Sequence, residues 1–271
     1  MYKSLILFVV SVFIFLCQFS NANSQTWQQM KDSCKLFQEK RDFKTALLWA
    51  QKILPLTEKE FGEKDTNYIS TLGEICEIFD KMGKIDSALY YGELNLKASR
   101  LYYKEDHPYL ASSLIWMAYF YNRKGFKKQA EPLYKEAIEM HRRLFKEDHP
   151  DLAGCISNTA NFYNDIGDFK QAEPLYIEAM DMYKRIYKGD HPKVSMIMNN
   201  VALFYNERGD FKKAEQLFNE SHEMSKRLFK GDHPGLAASF NNIASFYSKS
   251  KGDYKKAEQL YIESLNMYRR V

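Results

Sequence analysis

The fold of this chain is decided by residues 148–192, which read DHPDLAGCISNTANFYNDIGDFKQAEPLYIEAMDMYKRIYKGDHP. The stretch begins and ends with Asp-His-Pro, and the same tripeptide occurs four times at intervals of 42 residues. The four copies are Asp106-His107-Pro108, Asp148-His149-Pro150, Asp190-His191-Pro192 and Asp232-His233-Pro234. A strict period of this length is typical of a solenoid, in which one supersecondary unit stacks on its copies. We therefore expect function to belong to an extended surface rather than to a single pocket.

Each period predicts two helices. From Leu152 to Tyr163, apolar and small residues recur every three or four positions, which is the spacing of an amphipathic helix, here called helix A. Pro150 suits the first helical turn, where a missing N–H costs nothing, and Gly167 suits the C-terminal cap. Asp168 can then cap a second helix, helix B, through its side-chain oxygen. The sequence therefore predicts an all-α solenoid of antiparallel helix pairs.

Small residues recur at one position in each helix and let the two helices approach closely. In helix A the position holds Cys34, Cys76, Ala118, Ala160, Ala202 and Ala244, and in helix B it holds Ala88, Ala130, Ala172, Ala214 and Ala257. The last alanine is displaced by one residue, which places an insertion within Ser248 to Lys251. Cysteine at this position acts as a small apolar residue, and Cys155 lies in another register. We therefore predict no disulfide framework.

The first 22 residues have the pattern of a secretory signal peptide. Lys3 precedes a run of thirteen residues, 5 to 17, that is apolar apart from Ser11, which is too short to span a bilayer. Ser20 and Ala22 fit the −3 and −1 positions of a cleavage site. Cleavage after Ala22 would leave a mature chain without a transmembrane span. We expect an exported protein, periplasmic or extracellular, from a bacterium.

Composition and motifs exclude several classes of function. The formal net charge is +4, and it falls to +3 without Lys3, so bulk charge gives no argument for specific nucleic-acid binding. No nucleophile motif, glycine-rich phosphate loop or Cys-x-x-Cys occurs, and we predict no enzyme activity and no cofactor. Equivalent histidines of stacked repeats lie at least about 8–10 Å apart, too far to share a zinc ion. The histidines of Asp-His-Pro are expected to stabilise the linkers, whereas His141 and His222 are expected on the surface.

These residues resemble the tetratricopeptide repeat. The recurring set is Ala118, Tyr121, Gly125, Ala130, Tyr134 and Ala137, repeated as Ala160, Tyr163, Gly167, Ala172, Tyr176 and Ala179. The 42-residue period, the Asp-His-Pro linker and the Ala-Glu-Pro-Leu-Tyr of Ala130 to Tyr134 are similar to the variant found in kinesin light chains and many bacterial proteins. The resemblance implies a right-handed superhelical solenoid of about six repeats and a role in protein–protein interaction.

The period also sets the expected organisation of the chain. After the signal peptide, residues 1–22, a degenerate first repeat covers residues 23–66. Repeats of 42 residues follow at 67–108, 109–150, 151–192 and 193–234. The last repeat, 235–271, stops inside helix B without a polar capping helix, which suggests end-to-end self-association through exposed apolar side chains.

The resemblance also implies a binding surface. In tetratricopeptide folds helix A lines a concave groove, and in kinesin light chains asparagines of this helix contact bound peptide. Asparagine both donates and accepts, so a row of them can satisfy an extended peptide backbone. The candidate groove residues are Trp116, Tyr119, Asn122, Asn158, Asn161, Asn164, Asn199, Asn200, Asn206, Asn241 and Asn242. The alternative is that these asparagines only bond to neighbouring helices.

Two further functions stay open. Paired cations near the end of each helix B would stack into a basic ladder that could meet an anionic surface: Arg142-Arg143, Lys184-Arg185, Lys226-Arg227 and Arg269-Arg270. Glu139, Asp181 and Glu223 lie four residues before the second cation and are expected to pair with it inside the helix. The chain could also be a regulatory module of a longer protein, because similar bacterial repeats often precede a caspase-like CHAT protease or a sensor kinase.

Overall fold

The structure, a computed structural model, describes residues 27–270. The predicted signal peptide, residues 1–22, lies outside the described residues. Those residues form twelve α-helices, one π-helical turn and no strand, so the all-α prediction is confirmed. The helices pair as predicted, with odd-numbered helices corresponding to helix A and even-numbered helices to helix B. None of the helices within 27–270 combines the length and apolar character that a bilayer crossing requires.

The chain divides into two compact units between Lys104 and Glu105. The first unit contains two helix pairs: α1 (Trp27–Glu39), α2 (Phe43–Phe61), α3 (Thr66–Lys81) and α4 (Ile85–Tyr102). The second unit contains four: α5 (Pro108–Arg123), α6 (Lys127–Leu144), α7 (Pro150–Asp165), α8 (Phe169–Ile186), α9 (Pro192–Glu207), α10 (Phe211–Leu228), α11 (Pro234–Phe246) and α12 (Tyr254–Arg270). The candidate groove residues all belong to the second unit.

Each Asp-His-Pro starts a helix A in the same way. In the copy before α7, Nδ1 of His149 accepts the backbone N–H of Asp151 at 3.2 Å, and Pro150 is the first helical residue. The His149 ring stacks on Phe145, with centroids 3.6 Å apart. The caps at the other three histidines are equivalent. The linker role predicted for these histidines thus has a concrete form, which is an N-cap. The rings of His191 and His233 also stack on the linker, whereas that of His107 stacks on Tyr109 of α5.

The aspartate of the linker binds the far end of the helix pair that follows it. Asp148 receives two hydrogen bonds from Arg185, Nε to Oδ2 at 2.6 Å and Nη2 to Oδ1 at 2.8 Å. The arginine lowers the pKa of Asp148 through these bonds. The same bidentate pair, here called the clamp, recurs as Asp106–Arg143, Asp190–Arg227 and Asp232–Arg270. Each clamp ties the start of helix A to the end of helix B within one helix pair.

The clamp corrects one prediction. Glu139, Asp181 and Glu223 were expected to pair inside helix B with the second cation of each pair, but those arginines bond to the linker aspartates instead. A guanidinium forms two parallel bonds to a carboxylate that faces it, and the linker carboxylate is placed for this. Glu223 bonds to the first cation, Lys226, at 3.0 Å.

The core of the second unit contains a ladder of aromatic rings that joins successive repeats. Phe162 of α7, Phe204 of α9 and Phe246 of α11 are at most 2% exposed. Each packs on a ring from helix B of the preceding repeat. The pairs are Tyr134–Phe162, Tyr176–Phe204 and Phe218–Phe246, with centroids 5.1, 5.2 and 5.3 Å apart. Burial of these large rings holds one repeat against the next.

The predicted insertion takes the form of a π-helical turn. Residues Tyr247–Lys251 extend α11 by one wider turn, which absorbs the extra residue before Gly252 closes the helix at φ 69°. Lys251 in this turn forms an ion pair with Glu215 of α10 at 2.9 Å. The degenerate first repeat has no glycine at the position that closes helix A. Arg41 stands there and adopts the left-handed conformation itself, with φ 58°.

The cysteines are buried as predicted, but two histidines are not where they were expected. Cys34, Cys76 and Cys155 are free and buried. His141 and His222 are only 1% and 8% exposed, so their placement on the surface was wrong. His141 shares its register with buried Tyr183, and His222 shares its register with the buried positions 138 and 180. The repeat register therefore predicts that both histidines are buried, whereas their polar residue type suggested exposure.

Acidification is expected to reduce stability in two stages. Burial lowers the pKa of His141 and His222, so the unfolded chain, in which a histidine pKa is about 6.5, takes up protons before the folded chain does. The free energy of unfolding should therefore fall as the pH drops below about 6.5. The pKa of each clamp aspartate is lowered too, which predicts a further loss below about pH 4. Urea denaturation at a series of pH values measures both.

A matched variant isolates the histidine contribution. H141Y/H222M carries at each site a residue that the next or preceding repeat has at the same register. Between pH 7 and 5 its stability should change less than that of the wild type. An identical pH profile in the two proteins would contradict the role given to these two histidines.

Candidate functional site

One stripe of helices α5, α7, α9 and α11 remains exposed in the second unit, and it is here called the A face. Its central register holds Trp116, Asn158, Asn200 and Asn242, one residue per repeat. Trp116 is 42% exposed and Asn158 is also exposed, while Asn200 and Asn242 are partly buried. Helix α7 packs against both α5 and α9. The stacking therefore brings these registers into a row.

The asparagines of this row have free amides. In residues 27–270, the side chains of Asn158, Asn200 and Asn242 make no hydrogen bond within the protein. The same holds for Asn199 and Asn241, which precede the last two. Each free amide offers a donor and an acceptor to whatever lies on the A face.

A second row of asparagines, nearer the end of helix A, is occupied by the protein itself. Asn122 donates to Oδ2 of Asp165 at 2.8 Å and accepts from Lys127. Asn164 donates to Oε2 of Glu207 at 2.7 Å. Both bonds cross from one helix A to the next, so these amides hold the spacing of the A helices.

The two remaining asparagines differ from both rows. Asn161 accepts a hydrogen bond from the hydroxyl of Tyr176 at 2.6 Å, which links helix A to helix B of one repeat. Asn206 belongs to the register of Asn122 and Asn164, but the residue that would accept its amide in the next repeat is Lys249, a cation. The Oδ1 atom of Asn206 is buried without a partner in the described structure, as is that of Asn164, so the two differ in their amide N–H groups.

The aromatic residues predicted for the site form a shelf at the α5 end of the A face. The Trp116 ring stacks on Phe120, with centroids 5.7 Å apart, and meets Tyr119 edge-on at 5.8 Å. Arg123 lies over the Tyr119 ring at 5.5 Å and donates to its hydroxyl at 3.1 Å. These contacts fix a half-exposed indole beside the row of free amides.

Sequence reasoning missed a second apolar shelf, on α9. Met196 and Leu203 are 41% and 42% exposed and lie on either side of Asn200 along the helix. Leu203 occupies the register of Tyr119, so alignment of the repeats could have revealed it. The corresponding positions on α7, Gly154 and Asn161, have no exposed apolar side chain.

An open cleft of about 520 Å³ lies away from the A face, between α9, α10 and the linker before α9. Val194, Met198 and Met224 contribute apolar lining, with Lys184 and Glu220 among the charged residues around it. One repeat earlier, the residues equivalent to Lys184 and Glu220 are Arg142 and Glu178, which are bridged at 2.9 Å. The cleft is thus open where lysine replaces the bridging arginine.

The described residues contain no metal site. No group of three His, Cys, Asp or Glu side chains within 27–270 is arranged to hold an ion. The linker histidines serve as caps instead. Burial raises the pKa of the Cys155 thiol to about 12, so this cysteine is not a thiolate at neutral pH.

Comparison with known proteins agrees with the paired helices. The tetratricopeptide repeat model matches residues 109–185, 152–226 and 193–270, which together span more than half of the chain. No curated protein has a significant sequence match to the chain. Many solved structures match the chain.

Three solved structures show the likeness. BtubC (BKLC) from P. vanneervenii is 18% identical, with 91% of this chain and 92% of that chain covered and a TM-score of 0.64. A putative kinesin light chain from P. anserina is 14% identical, with coverage of 74% and 95% and a TM-score of 0.64. A Rap protein complexed with Competence and Sporulation Factor is 14% identical, with coverage of 92% and 78% and a TM-score of 0.65. At these identities the structures share a fold, and with the repeat matches above, the chain belongs to the tetratricopeptide repeat family, with kinesin light chain-like neighbours.

Proposed function

We propose that this protein is an exported scaffold that binds an extended segment of a partner protein on its A face. The observation that carries the proposal is the row of free amides at Asn158, Asn200 and Asn242 beside the Trp116 shelf. The neighbouring asparagines that are needed to hold the helices are already bonded. The free row has no such structural task.

The chemistry of the row suits a peptide backbone. Every residue of an extended segment except proline presents one N–H and one C=O, and an amide side chain can pair with both. Such recognition depends little on the partner's side chains. The exposed apolar side chains of Trp116, Met196 and Leu203 supply the hydrophobic contact that backbone bonds alone lack.

Related structures agree with this use of the fold. The similar Rap protein was solved in complex with Competence and Sporulation Factor. The proposed binding to the A face here rests on the free amides of this chain, since a likeness at 14% identity concerns the fold alone.

Replacement of the free row is expected to abolish most binding. The net contribution of one hydrogen bond to the binding free energy is about 0.5–1.5 kcal/mol. Loss of three such bonds in N158A/N200A/N242A should therefore weaken a partner's affinity roughly tenfold to a thousandfold. A photo-crosslinking residue at Ser112, exposed on the A face of α5, would identify the partner in an extracytoplasmic extract. Titration of that purified partner then measures the affinity of each variant.

A second triple variant serves as the control. Gln129, Asn219 and Gln259 are exposed on helices B, so Q129A/N219A/Q259A removes three amides away from the A face. It should bind like the wild type, and circular dichroism should show equal helicity in all three proteins. Equal affinity of the two triple variants would reject the A face as the binding surface.

Export is the second part of the proposal and has its own test. The pattern of residues 1–22 predicts that a signal peptidase cuts after Ala22. The mature protein recovered outside the cytoplasm should therefore begin at Asn23, as measured by intact mass. A full-length chain confined to the cytoplasm would contradict export without affecting the A face.

The other predicted roles have less support. The second cation of each ladder pair is held by a clamp, and Arg142 is bridged to Glu178, so few ladder charges stay available for an anionic surface. Self-association through α12 stays a prediction, supported by the half-exposed side chains of Leu265 and Tyr268. A regulatory role within a longer protein also stays a prediction.

A further inference from the structure

We infer that the segment bound on the A face is a polyproline II helix that carries two apolar side chains six residues apart. This inference rests on the proposed function and adds the conformation and the pattern of the ligand. It follows from the spacing of the free amides and of the two apolar shelves.

The free amides are spaced by the stacking of the A helices. The row offers one asparagine per repeat, at Asn158, Asn200 and Asn242, and packed helices lie about 8–10 Å apart. The bonds Asn122–Asp165 and Asn164–Glu207 join α5 to α7 and α7 to α9 directly, so this spacing is applied to these three helices. A ligand that crosses α5, α7 and α9 must therefore present equivalent groups about every 8–10 Å.

This spacing distinguishes between two extended conformations of a bound peptide. A polyproline II helix has three residues per turn and a rise of about 3.1 Å per residue, so equivalent groups recur about every 9.3 Å. In a β-strand, groups on one side recur every two residues, about every 6.4–6.8 Å. The equivalent groups of a strand are therefore too close together to meet the amides of successive repeats. Those of a polyproline II helix match the spacing from one helix A to the next.

The two apolar shelves set the spacing of the ligand's apolar side chains. The first shelf, Trp116 with Tyr119, lies on α5, and the second, Met196 with Leu203, lies two A helices away on α9. Two helix spacings amount to about 16–20 Å, and six residues of polyproline II span about 18.6 Å. At the corresponding positions of α7, between them, stand Gly154, Asn158 and Asn161, none of which is apolar and large. Apolar side chains at positions i and i+6 would therefore meet both shelves, with a polar residue at i+3 over α7.

The charges beside the row favour an uncharged ligand. One register along its edge holds Arg123, Asp165, Glu207 and Lys249, two cations and two carboxylates. Asp165 and Glu207 are already bonded to the asparagines of the preceding helix. Recognition of this ligand then depends on backbone bonds and apolar contacts more than on charge.

Three fluorescent synthetic peptides test the inference by anisotropy with the mature protein. The first carries two leucines six residues apart, separated by alternating glutamine and proline, which favours polyproline II. The second has the same composition with the leucines four residues apart. The third keeps the spacing of six but replaces the prolines with valine and threonine, which favour a strand. The first should bind at least about tenfold more tightly than the other two.

Variants locate the contacts. Trp116→Ala and Leu203→Ala should each weaken the first peptide, and Q129A/N219A/Q259A should leave it unchanged. Equal binding of all three peptides, with N158A/N200A/N242A still weakening them, would overturn the inference while the A face remains the binding surface. No binding of any peptide would also overturn the inference, and the crosslinked natural partner would then decide the proposed function by itself.

Discussion

Phe204→Ala is expected to lower the free energy of unfolding of the second unit by about 3–5 kcal/mol. The Phe204 side chain is 1% exposed and packs on Tyr176 of the preceding repeat at 5.2 Å between centroids. Its removal leaves a cavity between α8 and α9, where the helices cannot fully close the space. Urea denaturation followed by circular dichroism measures the loss.

Leu203→Ala provides the matched control for Phe204→Ala. Leu203 is the next residue of the same helix, but it is 42% exposed on the A face, so truncation leaves no buried cavity. We expect a loss below about 1 kcal/mol. Native-state hydrogen exchange should show that Phe204→Ala weakens protection mainly in α8 and α9. A loss no larger than that of Leu203→Ala would contradict the role of the ring ladder.

Ala202→Leu is expected to destabilise the second unit by about 1–3 kcal/mol through overpacking. Ala202 is fully buried, and so is Ala214, which holds the small-residue position of helix B in the same repeat. At the corresponding position of the second repeat, Sγ of Cys76 lies only 3.1 Å from the carbonyl oxygen of Ala88. The register therefore leaves room for a cysteine or an alanine between the two helices but not for leucine.

Ala238→Leu makes the same chemical change where space is available. Ala238 lies on the A face, in the register that Met196 occupies on α9 without burial. Thermal and urea denaturation should give this variant a stability within about 0.5 kcal/mol of the wild type. Similar losses in the two variants would show that leucine harms the helices generally and would contradict overpacking at Ala202.

Most of the fold could be predicted because particular residues mark the ends of the helices in each repeat. Pro150 and Gly167 mark the helix ends, and the Asp168 carboxylate caps helix B as expected, accepting from the N–H of Gln171. The insertion near Ser248 was located correctly, but its π-helical form depends on backbone geometry that residue types do not specify. The burial of His141 was missed because the prediction relied on the polarity of histidine and not on the buried register that it occupies.

The site could be predicted only in part, because contacts between repeats decide which asparagines are bonded and which are free. Asn158 and Asn164 look alike in sequence, yet Asn164 bonds to Glu207, 43 residues away, while Asn158 is free. Which carboxylate faces which amide depends on how adjacent A helices stack. The clamp partner of Arg185 was missed for the same reason, since a nearby acidic residue on the helix was the simplest candidate.

The clamp has a consequence for how such a chain changes over evolution. Because Asp148 and Arg185 stand at opposite ends of one helix pair, each of the four segments that begin at an Asp-His-Pro carries both halves of its own clamp. An in-frame duplication of one segment therefore adds a repeat that is already closed, and a deletion removes one without breaking another. Recombination can therefore change the number of repeats one at a time. The length of ligand that the A face can bind changes with it.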